Sequence, residues 1–195
     1  MIKKTLNQNA KYAQEFMKTI ETDFIFSDKP INRFKVDSAE NKETSISKNG
    51  LLNDLKTKIN SIENCNLKNN SKNLVLGEGN INADVMLIGE TPGEIEDETG
   101  LCFQGEVGNL LNKMLLAIDI KRENIYTTYS INFRPPEDRK PTGQEIKRYA
   151  IFLKEHIAII DPKILILMGS TAMESITGLS KISNERGKWL SLIHI

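Results

Sequence analysis

The chain has 195 residues, 39% of them apolar, with 26 basic and 26 acidic side chains. That length bounds one domain with room for an appended segment, and the balanced charge excludes a dedicated, strongly basic nucleic-acid binder while leaving room for a local site. Two cysteines are too few for a disulfide framework or a four-thiolate metal site within one chain, and no apolar run approaches the ~20 residues of a membrane helix.

Apolar spacing at Ala13, Phe16, Met17 and Ile20 predicts a helix within 5–25. Residues 27–50 are polar and punctuated by Pro and Gly, so 1–50 reads as an N-terminal helix and linker. Leu51, Leu52, Leu55, Ile59 and Ile62 predict a helix over 51–62. NLVLGEGN gives a short strand and a turn. VMLIG, 85–89, reads as a buried strand. The apolar stripe Val107, Leu110, Leu111, Met114, Leu115 and Ile118 predicts a helix over 106–118. NIYTTYSI, 124–131, is the next strand. Thr142 followed by Glu145 is a capping-box pattern that opens a helix closed at Asp161-Pro162. KILILMG, 163–169, is apolar enough for a strand covered on both faces. Thr171 and Glu174 repeat the capping box for a short helix ending at Gly178. Strands alternating with helices predict an α/β fold, a largely parallel sheet with helices on both faces. Ligands in such sheets sit beyond the carboxyl ends of the strands. Loops 89–105, 132–141 and 169–171 therefore converge on one edge.

The first of these loops is the most unusual. Residues 76–100 hold 7 acidic and no basic side chains, and five of the acids lie between Glu90 and Glu98. Glu90 follows directly on a core strand, so rigid backbone holds it. A carboxylate so placed can orient a water or stabilise an oxocarbenium-like cation. Glu90, with one of Glu96 or Asp97, is the candidate for that work. Glu94 and Glu98 read as solvated. Gly89, Pro92 and Gly93 fix a turn that lets backbone approach a ligand. Phe103 either anchors the loop to the core or offers a stacking platform for a flat ring. In the second loop, Arg134, Arg139 and Lys140 lie among three prolines, and stiff cationic loops suit phosphates. The helix start at Ser170 offers backbone amides to a phosphate. RGKW, 186–189, adds Arg186 and Lys188. Carboxylates alone can also hold Mg²⁺, which leaves a small metal-dependent α/β phosphoesterase as an alternative.

Four segments taken together carry a resemblance. GEGNINADVMLIGETPGEIEDETGLCFQGEVGNLL, IYTTYSINFRPPEDRKPT, PKILILMGSTA and RGKW resemble the family 4 uracil-DNA glycosylases in order and spacing over roughly 50–189. DKPINRF resembles an extension of one branch of that family. The resemblance implies a three-layer α/β/α fold with a mostly parallel four-stranded sheet. It implies a base-excision repair hydrolase that flips uracil out of DNA and cleaves its N-glycosidic bond. It places Glu90, Glu96 and Asp97 in catalysis. Gly89, Thr91, Phe103 and Tyr129 fall on the substrate, with Phe103 stacking on the flipped base. Arg134, Pro135 and Pro136 match the DNA-side loop, and Arg139, Ser170 and Arg186, read above as phosphate-binding candidates, are expected to join them on the DNA. The expected partner is uracil-containing DNA, bound by a cytoplasmic monomer with no membrane attachment.

Three departures accompany the resemblance. The family commonly holds a 4Fe–4S cluster by four cysteines, of which only Cys65 remains here. Ile62, Phe133 and Tyr149 stand at the other three positions, so no cofactor is expected. Tyr129 stands where the family has an Asn that reads the uracil edge. The family's later HP-x-x-LLR motif is missing before Ile195, and His194 is not equated with its His. The expectation is a cluster-less domain over 51–195, incomplete at its C-terminus, with impaired excision. A catalytically degenerate homologue that at most binds DNA is the alternative.

Overall fold

The computed structural model describes residues 47–191. The predicted helix within 5–25, most of the polar segment 27–50, and His194 lie outside the described residues.

The first described helix, α1 (Lys48–Asn60), starts three residues before its predicted position, because the Ser47 hydroxyl caps it by accepting from the Gly50 amide. The short helix α2 (Asn66–Asn70) follows, then β1 (Gly77–Gly79) and β2 (Val85–Gly89). The acidic stretch, expected as a loop, contains a short helix, α3 (Glu94–Thr99). Acidic residues fill its first turn, where the helix dipole favours them, and Gly100 ends it in the left-handed conformation. Next come α4 (Gly105–Leu116) and β3 (Tyr126–Tyr129). Then come α5 (Gly143–Ile160), β4 (Ile164–Leu167), α6 (Ser170–Thr177) and α7 (Ile182–Glu185).

The sheet order is β1-β3-β2-β4. The β2–β3 and β2–β4 pairs are parallel, and β1 is antiparallel to β3. Three of the four strands thus run together, as the alternation of elements predicts. Period-two alternation divides their side chains between two cores. Met86, Ile88 and Tyr126 join Leu55, Ile59, Tyr149 and Leu153 beneath α1, α5 and α6. Leu87 and Tyr129 join Cys102, Phe103, Leu111 and Leu115 on the α4 side. Helices on both faces of one sheet make three layers.

Three local expectations need correction. In α4 only one of two adjacent apolar rows is buried: Leu111 and Leu115 face the core, whereas Val107, Leu110 and Met114 are exposed, as is Ile118, which falls past the end of the helix. The strand β4 is not covered on both faces, since it is an edge strand and Ile164 and Ile166 are exposed. Thr171 does not cap α6. That helix starts at Ser170 with Gly169 as its N-cap, and the cap comes from elsewhere in the chain.

Candidate active site

The carboxyl ends of β2, β3 and β4 bring three loops together, as predicted. Glu90 leaves β2 and points across the sheet to α6. Its Oε1 accepts from the Thr171 amide at 2.8 Å and the Ser170 hydroxyl at 3.2 Å. This carboxylate supplies the missing cap, and it lies at the positive end of a helix dipole. Gly169 makes the approach possible. A Cβ there would overlap the Glu90 side chain, and its φ of 107° is one that side-chain-bearing residues avoid. The Glu90 carbonyl is also tied down, accepting from the Ile131 amide at 3.2 Å. Among the described residues no hydrogen bond reaches Glu90 Oε2. A rigidly aimed carboxylate with one open oxygen is a group that can hold a water or face a cation.

The other two acids of the stretch are engaged differently. Glu96 is buried, with Oε2 accepting from the Gly93 amide at 3.1 Å and Oε1 from the Gln104 amide at 3.0 Å. Asp97 is 3% exposed. It accepts from the Lys72 amide at 2.9 and 3.1 Å and from the Asn73 amide at 3.1 Å. Both carboxylates thus tie loop backbone together. Glu94 and Glu98 are exposed as expected, and Glu98 pairs with Lys72 at 2.7 Å.

The Phe103 ring is 6% exposed and stacks on Tyr129, 5% exposed, with centroids 4.9 Å apart and planes 28° apart. The Phe103 amide donates to the Tyr129 hydroxyl at 3.0 Å. Burial pushes the Tyr129 hydroxyl well above its ordinary pKa, against the opposing pull of the Phe103 amide. The Arg122 guanidinium carbon lies 5.7 Å from the Phe103 centroid. Arg122 also donates to Glu78 at 2.9 Å and to the Cys102 carbonyl at 2.8 Å. No sequence reading singled out Arg122 or Glu78, because their partners are 44 residues apart or are backbone. Thr91 is half-buried beside the buried Pro92.

On the predicted DNA side Arg134 and Arg139 are each paired with a carboxylate. Arg134 forms a two-pronged bond to Asp138 at 2.8 and 2.9 Å and lies 3.7 Å from Glu94. Arg139 grips Glu145 at 2.9 and 2.7 Å. That second pair, with the Thr142 amide and hydroxyl, draws the Glu145 pKa down to about 2. Pro135 is buried at the start of the tight turn Pro136–Asp138. Ser170 donates to Glu90, as above. Arg186 is exposed beyond α7, on a segment lining a groove of about 570 Å³ beside β4, away from Glu90.

Among the described residues no group of three or more His, Cys, Asp or Glu side chains is arranged to hold a metal ion. Cys65 is buried, and its Sγ lies 3.2 Å from the Tyr149 hydroxyl. The Tyr149 ring packs edge-on against Phe133, centroids 6.3 Å apart. Cys102 belongs to the core on the other face of the sheet. A single thiol among aromatic rings does not fit a cluster that needs four thiolates. No described helix is long and apolar enough to cross a membrane.

A mostly parallel sheet between helices, with a carboxylate fixed at the strand ends, is an α/β architecture whose ligand site lies beyond the carboxyl edge. The profile of the uracil DNA glycosylase superfamily matches residues 76–194. Among individual relatives, a type-4 uracil-DNA glycosylase of Thermotoga maritima is 39% identical over 119 residues, 61% of this chain and 62% of the relative. One of Archaeoglobus fulgidus is 34% identical over 142 residues, 70% of this chain and 71% of the relative. One of Pyrobaculum aerophilum is 32% identical over 135 residues, 67% of this chain and 69% of the relative. The chain therefore spans between about three fifths and 71% of the lengths of these relatives. The chain belongs to the uracil DNA glycosylase superfamily, in its type-4 branch.

Proposed function

We propose that this protein hydrolyses the N-glycosidic bond of uracil in DNA, after the base has been turned out of the stack. The observation that carries the reading is the geometry of Glu90. It combines a strand-end position, an Oε1 fixed by Thr171 and Ser170, and an Oε2 with no partner among the described residues. Glu90 Oε2 holds the attacking water or faces the cationic sugar as the bond lengthens. Glu96 and Asp97 fix the loop on which the site is built, since their oxygens are engaged with backbone amides. Phe103 is the platform for the base. Arg134 and Arg139 reach phosphates by exchanging Asp138 and Glu145 for them, with Pro135 stiffening the turn and Arg186 adding charge.

Two finer points belong to the same proposal. The protein works without a 4Fe–4S cluster, and the Cys65–Tyr149–Phe133 packing stands in its place. Excision is slow compared with the type-4 relatives, because the Phe103 face is already in contact with Tyr129.

The test is a labelled oligonucleotide with a single uracil, incubated with excess protein and then cleaved with alkali. Slow strand scission that falls by about 100-fold or more in Glu90→Gln is expected. Gln keeps an acceptor for the Thr171 amide, so the fold is retained. Equal rates in the two proteins would remove Glu90 from the chemistry. No abasic product over a long incubation would sink the hydrolase reading.

A further inference from the structure

We infer that Tyr129 is the gate of the base site: its phenol ring fills the space against Phe103 that a pyrimidine would take, and it must rotate away before a base can enter. This rests on the proposed function in taking Phe103 as the platform. Four observations carry it. The rings overlap at 4.9 Å and 28°, an offset stack of the kind a base makes on an aromatic side chain. Both rings are nearly inaccessible, so no second flat ring fits while they touch. The Gly89 backbone closes the edge of the niche, since a Cβ there would lie 2.8 Å from the Phe103 Cζ and 2.8 Å from Tyr129 ring carbons. Finally, the Tyr129 hydroxyl is latched by the Phe103 amide at 3.0 Å.

The latch also indicates what the opened niche selects. The Tyr129 backbone is pinned in β3, paired with Gly89, so the gate moves by side-chain rotation alone. Rotation leaves the buried Phe103 N–H without an acceptor, which is costly unless the incoming group supplies one. A pyrimidine carbonyl can replace the phenol oxygen. The phenol is a single six-membered ring, so the space it vacates fits a pyrimidine and not the fused rings of a purine. A gate closed in about nine molecules of ten lowers apparent affinity about tenfold.

The experiment uses the full chain and ligands independent of excision. Tyr129→Ala is mixed with p-cresol, which copies the deleted side chain, and with free uracil, and thermal melts are recorded. Both ligands should raise the melting temperature of the variant and compete with each other, and at equal ligand concentration the parent protein should shift far less. Uracil should bind the variant about tenfold or more tighter than the parent. Phe103→Ala added to Tyr129→Ala should abolish the gain. Equal uracil affinity in parent and Tyr129→Ala would overturn the gate, and so would a variant that takes p-cresol but refuses uracil. Should Tyr129→Ala fail to fold, Tyr129→Phe keeps the ring and removes the latch. Uracil affinity above the parent's is then expected, and affinity equal to it overturns the proposal. Uracil binding by the variant together with no excision by any protein sinks the hydrolase reading and leaves the gate standing.

Discussion

The two faces of the sheet are built by different means. Beneath α1, α5 and α6, eighteen buried residues form a continuous apolar core that includes Leu55, Ile59, Met86, Ile88 and Ile160. On the α4 side the apolar core has eight buried members among the described residues. The smaller core is supplemented by polar ties: Asp97 to the Lys72 and Asn73 amides, Glu96 to those of Gly93 and Gln104, and Arg122 to Glu78 and the Cys102 carbonyl. The candidate site lies at the strand ends, where this second face supplies Phe103 and α6 of the first face holds Glu90. Apolar packing is non-directional and tolerates small shifts. A carboxylate holding backbone amides fixes position and angle. A loop that must aim Glu90 and hold Phe103 is therefore fastened by hydrogen bonds.

The contrast is sharpest for truncated leucines. Leu55→Ala on the first face should cost about 2–5 kcal/mol, because Leu55 is fully buried and leaves a cavity. Leu110→Ala on α4 should change stability by less than about 0.5 kcal/mol, because Leu110 faces outward. Urea midpoints read both. A loss at Leu110 comparable to that at Leu55 would mean that the outer row of α4 is buried.

Acid separates the faces in another way. His156 is buried on α5, and its Nε2 lies 2.9 Å from the Tyr126 hydroxyl. Burial lowers its pKa from 6.5 to about 4, so the folded protein holds it neutral. In the unfolded chain it takes up a proton below its ordinary value. Its contribution is therefore complete above about pH 6.5 and is lost as pH falls toward about 4, by on the order of 3 kcal/mol. Urea melts across that window should show the decline, and His156→Phe should flatten it. An equally steep decline in His156→Phe would assign the acid sensitivity to other groups.

On the second face the corresponding probe is a carboxylate. Asp97→Ala removes the acceptor for the Lys72 and Asn73 amides, and about 1.5–3 kcal/mol should go with it. Asp97→Asn, which keeps one acceptor, should lose less. An Asp97→Ala protein as stable as the parent would show that the tie is dispensable to the fold and would favour a chemical role for Asp97.

These ties explain what could be read from the sequence and what could not. Helical spacing located α1 within three residues and α5 within one, because their cores are apolar rows. The same spacing could not tell Leu110 from Leu111, since both rows of α4 are apolar and only the neighbours decide which turns inward. The position of Glu90, immediately after VMLIG, marked it as held by the core. Its cap on α6 could not be read, because the partners are an amide and a hydroxyl some 80 residues on. The hydrogen-bond partners of Glu96 and Asp97 could not be read either, because they are backbone amides, which almost every residue offers. The Phe103–Tyr129 stack joins a loop residue to the last residue of β3, 26 positions on, and has no local signature.

The smallest effect separates two copies of one sequence pattern. Thr142-x-x-Glu145 and Thr171-x-x-Glu174 are equivalent capping boxes on paper. In the structure only the first is closed. The Thr142 hydroxyl accepts from the Glu145 amide at 3.3 Å, and Glu145 accepts from the Thr142 amide at 2.7 Å while gripping Arg139. The second pattern is pre-empted, because Glu90 already satisfies the Thr171 amide. Glu145→Ala should therefore cost about 1 kcal/mol, and that cost should vanish in acid, since a carboxylate with a lowered pKa contributes above its ordinary value of 4.5 and not below about 2. Glu174→Ala should fall within about 0.5 kcal/mol of the parent at any pH. Paired urea melts near neutral pH decide the matter. Equal losses for the two variants would mean that the second box forms after all. Glu90 would then be released from α6, with both its oxygens open to the substrate.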